Sequence, residues 1–251
     1  MKVVNIYTPV YHRFLKTKTS IESIIETINN SKNDVNLHIG VNGLEGGKNG
    51  LMDEWIKCLA KNSKVKVFIG EKNYGKAFMI NHMFNHSRKC NYVISIDSDM
   101  IADENDKYNW IDEFVKIMEW EPAKNFGLLS SWQKEQNCHI MDNLNERTEF
   151  FGHWIKYGTG ISQGIAGGCV IMKEKDFVDM GKYELFDIYS GDDALLIKKV
   201  SKQLGKLVGI VETIKLTHPY NDPEENDYQI WKFNKCRGKL PIGLDTKGFY
   251  D

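Results

Sequence analysis

Two aspartates separated by one serine, Asp97-Ser98-Asp99, follow the apolar run Tyr92–Ile96. The run is short, β-branched and uncharged, which predicts a buried strand of a parallel sheet. Open α/β sheets bind ligands where their strands end, and paired carboxylates there suit a hard divalent cation that also contacts phosphates. The pattern therefore indicates metal-assisted handling of a nucleotide diphosphate. A solvated turn is the alternative, because aspartate and serine are ordinary turn residues.

Polar residues also follow the first two predicted strands. Thr8, Pro9 and Tyr11 lie where the first strand ends, and a hydroxyl and an aromatic ring at that edge could hold a nucleobase. Asn42 ends the second strand and could bond the edge of a base. A proline that stops a strand and a common Asn-Gly turn explain the same residues without a ligand.

A lysine follows the third predicted strand, where a helix is expected to begin. In the segment Asn73-Tyr74-Gly75-Lys76, the glycine permits close approach of a backbone. The helix N-terminus together with Lys76 would favour an anionic phosphate. A solvated lysine in a loop is the alternative.

Carboxylates and a histidine mark the second half of the chain. Asp192-Asp193 precede an apolar helical face, where acidic residues cap a helix or supply a general base for an acceptor hydroxyl. His218 follows a late strand, and a lone histidine is usually structural. Its imidazole is also a competent metal ligand, and with a D-x-D pair it would suit Mn²⁺ better than Mg²⁺.

The strands that position these residues alternate with helices in the first part of the chain. Helical periodicity is clear after Ser20, a predicted N-cap, where isoleucines share one face. We expect strands over 3–9, 35–41, 65–69 and 92–96, and helices over 20–30, 51–60 and 76–86. This spacing predicts right-handed crossovers and a parallel sheet covered on both faces.

The alternation loosens in the rest of the chain. We expect helices over 110–120 and 191–204, and strands over 126–131, 167–172 and 206–211. The stretch 138–166 has no clear period, and its aromatic cluster fits a core or an acceptor-binding surface equally. The members of that cluster are Phe150, Phe151, His153, Trp154 and Tyr157. The basic, aromatic tail from residue 219 is interpreted as a lid, with a nucleic-acid contact or a solvated end as alternatives.

The composition is that of a soluble globular protein. The 251 residues can bury a core in one large domain, and the net charge of −1 gives no global field toward nucleic acid or membrane. No apolar run approaches the roughly 18 residues of a membrane span, and the N-terminus lacks a secretory pattern. The five cysteines are scattered without a C-x-x-C, which favours reduced thiols and a cytoplasmic location.

In their order along the chain, these motifs resemble those of family 2-type glycosyltransferases of GT-A fold, which carry a D-x-D motif. The resemblance runs from about Val3 to His218 and is most specific between Asn73 and Asp99. It implies an α/β fold with a Rossmann-like, mostly parallel central sheet, helices on both faces and a smaller acceptor-side part. It also implies one domain over 1–218, in which 1–99 binds the nucleotide-sugar and 100–218 holds the acceptor and catalytic half. Residues 219–251 are expected to form a C-terminal tail or lid.

The resemblance also implies roles for the matching positions. Asp97 and Asp99 would hold the metal, with His218 as a third ligand. Asp193 would be the catalytic base, with Asp192 beside it. The positions expected to bind the donor are Thr8, Pro9, Tyr11, Asn42, Asn73, Lys76, Asp97 and Ser98.

The implied activity is metal-dependent and inverting. An acceptor hydroxyl, deprotonated by Asp193, attacks the anomeric carbon from the face opposite the diphosphate, whose charge Mn²⁺ or Mg²⁺ stabilises. A UDP-sugar is favoured because UDP is the family's commonest nucleotide. The acceptor is a glycan or a hydroxymethylated DNA base, the latter indicated only by the basic aromatic tail.

Two departures from the family pattern and two other functions qualify this hypothesis. Asn42 stands where the family usually has aspartate, and Asp192 stands where it has glutamate. A sugar-nucleotide nucleotidyltransferase would need a glycine-rich basic loop after the first strand, where Thr-Pro-Val-Tyr-His-Arg stands instead. A non-catalytic nucleotide- or carbohydrate-binding module is the other alternative. The sequence does not indicate an oligomeric state.

Overall fold

The computed structural model describes residues 1–11, 13–43, 51–102, 108–134, 144, 146–158, 168–185 and 192–219, with only the backbone at 51, 53, 134 and 192. The strands are β1 Val3–Val10, β2 Asp34–Asn42, β3 Val65–Gly70, β4 Tyr92–Ile96, β5 Ile101–Ala102, β6 Phe126–Lys134, β7 Glu146–Phe150, β8 His153–Gly158, β9 Cys169–Lys173 and β10 Leu207–Thr217. The helices are α1 Phe14–Asn29, α2 Leu51–Leu59, α3 Lys76–Asn85, α4 Trp110–Glu119, α5 Glu174–Asp179 and α6 Asp192–Gln203.

These strands form a single sheet in the order β3-β2-β1-β4-β9-β6-β10-β8-β7, and β5 pairs with β10. Strands β3, β2, β1 and β4 are parallel, as the alternation of strands and helices predicts. Strand β9 is antiparallel to both β4 and β6, so β6 and its parallel neighbour β10 run in the direction of β4. The predicted α/β sheet is confirmed. Its second half is more mixed than expected, because β5, β7, β8 and β9 pair antiparallel.

Helices cover both faces of the sheet, as predicted. Helices α1, α2 and α4 pack on one face and α3, α5 and α6 on the other, which divides the core into two hydrophobic clusters. The isoleucine stripe of α1, Ile21, Ile24 and Ile28, is buried in the first cluster. Burial of each such side chain contributes about 1.5–3 kcal/mol of hydrophobic free energy, which stabilises the packing of the helices on the sheet.

The prediction that Ser20 caps the first helix is wrong, because α1 begins at Phe14. The early turns of α1 are rich in lysine and threonine, so the apolar periodicity appears only from Ile21 onward. Ser20 lies inside the helix, fully buried, and its hydroxyl donates to the carbonyl of Met100 at 2.5 Å. Ser20 therefore ties α1 to the chain just after the D-x-D motif.

The stretch without a clear sequence period contains a hairpin of β7 and β8. Its turn residues, Phe151 and Gly152, both have positive φ angles of 55° and 82°, which matches the twist of a tight hairpin. Strand β7 reads Glu-Arg-Thr-Glu-Phe and is largely exposed, so it lacks the apolar alternation that would have predicted it. Strand β10 also runs to Thr217, past its predicted end.

None of the helices in the described ranges is long and apolar enough to cross a lipid bilayer.

Candidate active site

The D-x-D motif forms a tight turn at the carboxyl end of β4. The Asp97 N–H donates to the carbonyl of Gly168 at 2.7 Å, and the Met100 N–H donates to the Asp97 carbonyl at 3.2 Å. Because β4, β6 and β10 run in one direction, this turn shares an edge with His218, which follows β10. The first residue of α3, Lys76, and the start of α6 reach the same edge.

Lys76 joins two carboxylates that are far apart in sequence. Its Nζ lies 2.8 Å from Asp97 Oδ1 and 3.1 Å from Asp193 Oδ1. Burial alone would lower the pKa of Lys76, but the charges of Asp193 and Asp97 hold it well above the ordinary value. Burial raises the pKa of Asp97, and repulsion from Asp193 and Asp99 adds to this against the opposing charge of Lys76. Lys76 is thus a fixed cation between the predicted metal ligand and the predicted base.

Asp99 makes a separate set of contacts on the other side of the turn. Its Oδ2 accepts a hydrogen bond from Arg13 Nη1 at 2.8 Å and lies 3.1 Å from His218 Nε2. Burial would raise the pKa of Asp99, but the His218 hydrogen bond and the charges of Arg13, His218 and Lys16 hold it far below the usual range. Burial would lower the pKa of His218, and Asp99 reverses this and raises it. The second oxygen, Asp99 Oδ1, is buried and accepts no hydrogen bond from the described residues.

Because the chain turns directly after β4, the two carboxylates face different helix layers, whereas an extended strand would put residues i and i+2 on one face. Asp97 faces Lys76 of α3 and Asp193 of α6, whereas Asp99 faces Arg13, which precedes α1. The sequence correctly placed Asp97, Asp99, Asp193 and His218 at one edge. In this arrangement each aspartate faces a basic side chain, and the expectation that both hold one ion stays a prediction.

The loop before α3 is built by side chains of the two predicted asparagines. Asn42 Oδ1 accepts from the Tyr74 N–H at 3.2 Å, and its Nδ2 donates to the Gly75 carbonyl at 3.4 Å. Asn73 Oδ1 accepts from the Gly75 N–H at 2.8 Å. Gly75 has φ 85° and ψ 164°, a conformation that glycine alone adopts readily. These bonds fix the start of α3 and thereby the position of Lys76.

The residues predicted at the end of β1 line the neighbouring part of the edge. Thr8 is fully buried and its hydroxyl has no hydrogen-bond partner within the described ranges. Pro9 pairs in register with Gly40, and Tyr11 follows the strand half-buried. Ser98 is buried between the two aspartates.

Sequence reasoning missed two basic residues at this site. Arg13 has a left-handed backbone (φ 53°, ψ 58°), and its guanidinium reaches Asp99. Lys16, one helical turn later, is buried and donates to the carbonyl of Pro219. A start of α1 at residue 14 would have placed both near the edge, but the predicted start at Ser20 left them in a loop.

The aromatic cluster that sequence reasoning left open divides into two groups. Phe150 and His153 are buried, and the His153 ring bridges Thr213 at 2.6 Å and Glu113 at 2.8 Å. Phe151 and Trp154 are exposed at the surface. The cluster is therefore part core and part surface.

Comparison with known proteins shows similarity in structure but not in sequence: no family model and no curated protein matches. A mannosyltransferase, PcManGT from Pyrobaculum calidifontis solved with GDP-Man and Mn²⁺, has a TM-score of 0.66 at 12% identity over 96% of this chain and 66% of its own. GalNAc-T7, solved with UDP, GalNAc and Mn²⁺, gives 0.60 at 14% identity over 91% of this chain and 48% of its own. TarS of S. aureus, residues 1–349, gives 0.60 at 11% identity over 99% of this chain and 68% of its own. The chain has a GT-A-type glycosyltransferase fold.

This GT-A fold spans about half to two thirds of the length of those three chains. Within the described ranges, no three His, Cys, Asp or Glu side chains are grouped closely enough to hold a metal ion as they stand. The side chain of Asp192 and the tail from residue 220 lie outside the described residues, so their predicted roles stay predictions.

Proposed function

We infer that this chain is a metal-dependent glycosyltransferase that moves a sugar from a nucleotide-sugar to an acceptor hydroxyl. The observation that carries the proposal is the convergence of Asp97, Asp99, Asp193, Lys76 and His218 at the carboxyl edge of a GT-A-type sheet. Two solved structures of similar fold contain Mn²⁺ with GDP-Man or with UDP and GalNAc, which supports a metal and a nucleotide-sugar as ligands.

The residues present fit a divalent cation in their chemistry. The buried Asp99 Oδ1 has no hydrogen-bond partner within the described ranges, and an anionic oxygen in that state gains from a cation. Asp99, His218 and Asp97 would hold the ion, and two carboxylates with one imidazole suit Mn²⁺. The bound ion would stabilise negative charge on the departing diphosphate.

Asp193 is the proposed catalytic base. Its carboxylate lies 3.1 Å from Lys76 Nζ, at the edge of the sheet where the donor is proposed to bind, and a carboxylate there could accept a proton from an acceptor hydroxyl. As the acceptor oxygen bonds to the anomeric carbon, its proton passes to Asp193. The bond from that carbon to the diphosphate oxygen breaks, and the diphosphate leaves with the electron pair, which inverts the configuration. Arg13 and Lys16 lie on the opposite side of the turn, where they would face the charge of the leaving group.

Thr8, Tyr11 and Asn42 would line the nucleoside side of the pocket, at the ends of β1 and β2. Asn42 acts there through the Tyr74–Gly75 backbone that it holds. UDP is the proposed nucleotide, with GDP as the alternative that the mannosyltransferase similarity supports. The proposed acceptor is a glycan or a hydroxymethylated DNA base, in a cytoplasmic setting.

A panel of UDP- and GDP-sugars tests the proposal, with thermal unfolding and sugar release measured with and without Mn²⁺. At least one donor should raise the melting temperature in the presence of Mn²⁺, and Asp99→Asn should abolish that shift. Asp193→Asn should retain the shift but lose transfer at least 100-fold. The exposed Asp179→Asn serves as the control and should match the wild type. No stabilisation by any donor would contradict the proposal, and nucleotide exchange without sugar transfer would favour the nucleotidyltransferase.

A further inference from the structure

Gln133 holds a buried amide whose polar atoms are unsatisfied. It lies near the end of β6, opposite Leu216 of β10, and is 6% exposed. Both Oε1 and Nε2 are buried without a hydrogen-bond partner in the described part of the chain. An unpaired buried polar group costs folding free energy, whereas an apolar side chain of similar volume would not.

This amide packs against the D-x-D turn. A Cβ on Gly168 would lie 2.2 Å from Gln133 Nε2 and 2.8 Å from Met100 Sδ, so only a glycine leaves room for the amide. The same Gly168 accepts the hydrogen bond from the Asp97 N–H, and Met100 follows Asp99 directly. Gln133 is therefore separated from Asp97 and Asp99, the carboxylates proposed to hold the metal, only by Gly168 and Met100.

The position of β6 in the sheet indicates which part of a donor would meet this amide. Thr8 and Asn42 mark the ends of β1 and β2, and the D-x-D motif marks the end of β4. Strand β6 lies two strands beyond β4, on the side away from β1, which is about 10 Å across the sheet. A donor whose nucleoside lies over β1 and β2, with its diphosphate beside Asp99, extends its sugar toward β6.

The chemistry of the amide also favours a sugar. A carboxamide both donates and accepts hydrogen bonds, and a sugar hydroxyl does the same. A diphosphate oxygen only accepts, so it would leave Gln133 Oε1 unsatisfied.

We propose that Gln133 binds a hydroxyl of the donor sugar and so takes part in selecting that sugar. The inference rests on the proposed function. The buried amide is destabilising without ligand and pairs when the sugar is bound.

The test is Gln133→Met in the full chain, with the exposed Gln203→Met as a matched control. Binding of a nucleoside diphosphate and of the tightest nucleotide-sugar is measured by calorimetry in Mn²⁺, beside thermal unfolding without ligand. We expect Gln133→Met to leave nucleoside diphosphate affinity within about twofold, and to weaken nucleotide-sugar binding at least tenfold. Without ligand, its melting temperature should rise by about 2–4 °C.

Monodeoxy analogues of that nucleotide-sugar provide a second measurement, which does not depend on a folded variant. The wild type should lose at least tenfold in affinity for one of them. Equal affinity for all analogues, or an unchanged nucleotide-sugar affinity in Gln133→Met, would overturn the inference and indicate an amide satisfied by trapped water. A wild type that binds no nucleotide at all would instead contradict the proposed function itself.

Discussion

Arg13 donates a 2.8 Å hydrogen bond to Asp99 from a backbone in the left-handed region, at φ 53°. A non-glycine residue in that region costs of order 1 kcal/mol, so the surrounding contacts must hold it there. The guanidinium occupies Asp99 Oδ2, one of the oxygens that a metal ion would need. Binding of the proposed cation would therefore be coupled to the position of Arg13.

We expect Arg13→Gln to raise the Mn²⁺ affinity of the nucleotide-free protein by roughly tenfold, because a competing charge leaves Asp99. The same change should weaken nucleoside diphosphate binding, because a cation beside the leaving group is lost. Free Mn²⁺ measured by electron paramagnetic resonance reports the first effect. Arg88→Gln, which breaks an exposed pair with Asp34, should change neither quantity. Weaker Mn²⁺ binding in Arg13→Gln would show that Arg13 supports the metal.

Lys76→Met should destabilise the protein by roughly 2 kcal/mol in urea unfolding at pH 7. The substitution leaves Asp97 and Asp193 to repel one another without their shared cation. Lys175→Met breaks an exposed i, i+4 pair with Asp179 and should cost less than about 0.5 kcal/mol. Equal losses in the two variants would mean that the ion pairs of Lys76 contribute no more than surface pairs do.

The contribution of His38 to stability should be lost as the pH falls from 6.5 to 4. His38 is 4% exposed and stacks on Tyr7, and burial lowers its pKa to about 4. Between pH 6.5 and 4 the imidazole is therefore protonated in the unfolded chain but largely neutral in the folded chain. The loss approaches about 3 kcal/mol at pH 4. His38→Phe should remove this contribution, whereas the exposed His86→Phe should keep it. Urea unfolding of each variant across this pH range is the measurement, and parallel pH profiles for His38→Phe and the wild type would contradict the assignment.

Gly75→Ala should cost about 1–3 kcal/mol of stability and at least tenfold in donor affinity, because φ 85° with ψ 164° excludes a Cβ and the start of α3 must move. Gly205→Ala also has a positive φ, of 62°, but open space around it, so it should cost about 1 kcal/mol and leave binding intact. Urea unfolding and donor binding are compared for the two variants. Unchanged donor binding in Gly75→Ala would separate the loop from the donor site.

Most of the first part of the fold was predictable because its strands are apolar runs and its helices carry clear stripes. Strand β4 matches its predicted bounds, and the D-x-D motif lies at its end as expected. The start of α1 was not predictable from periodicity, because lysines and threonines fill its early turns. Strand β7 was missed because it lies at the edge of the sheet and only its last residue, Phe150, is buried, which leaves no apolar alternation.

The site followed the same rule. Asp97, Asp99 and His218 were predicted at this edge because they come soon after apolar strands, and that position can be recognised in the linear sequence. Gln133 and Arg13 were missed because their significance depends on unpaired atoms and on contacts between distant segments. Local sequence carries no signal for either property.

The Asp97–Asp99 turn contacts the helix layers on both faces of the sheet, through Arg13 on one face and through Lys76 and Asp193 on the other. A ligand held by both carboxylates at once would join the segment before α1 to the starts of α3 and α6 across the sheet. Such a ligand would link the helix layer on one face of the sheet to the helix layer on the other face. Amide hydrogen exchange should then slow together in α1, α3 and α6, although these helices do not share a face.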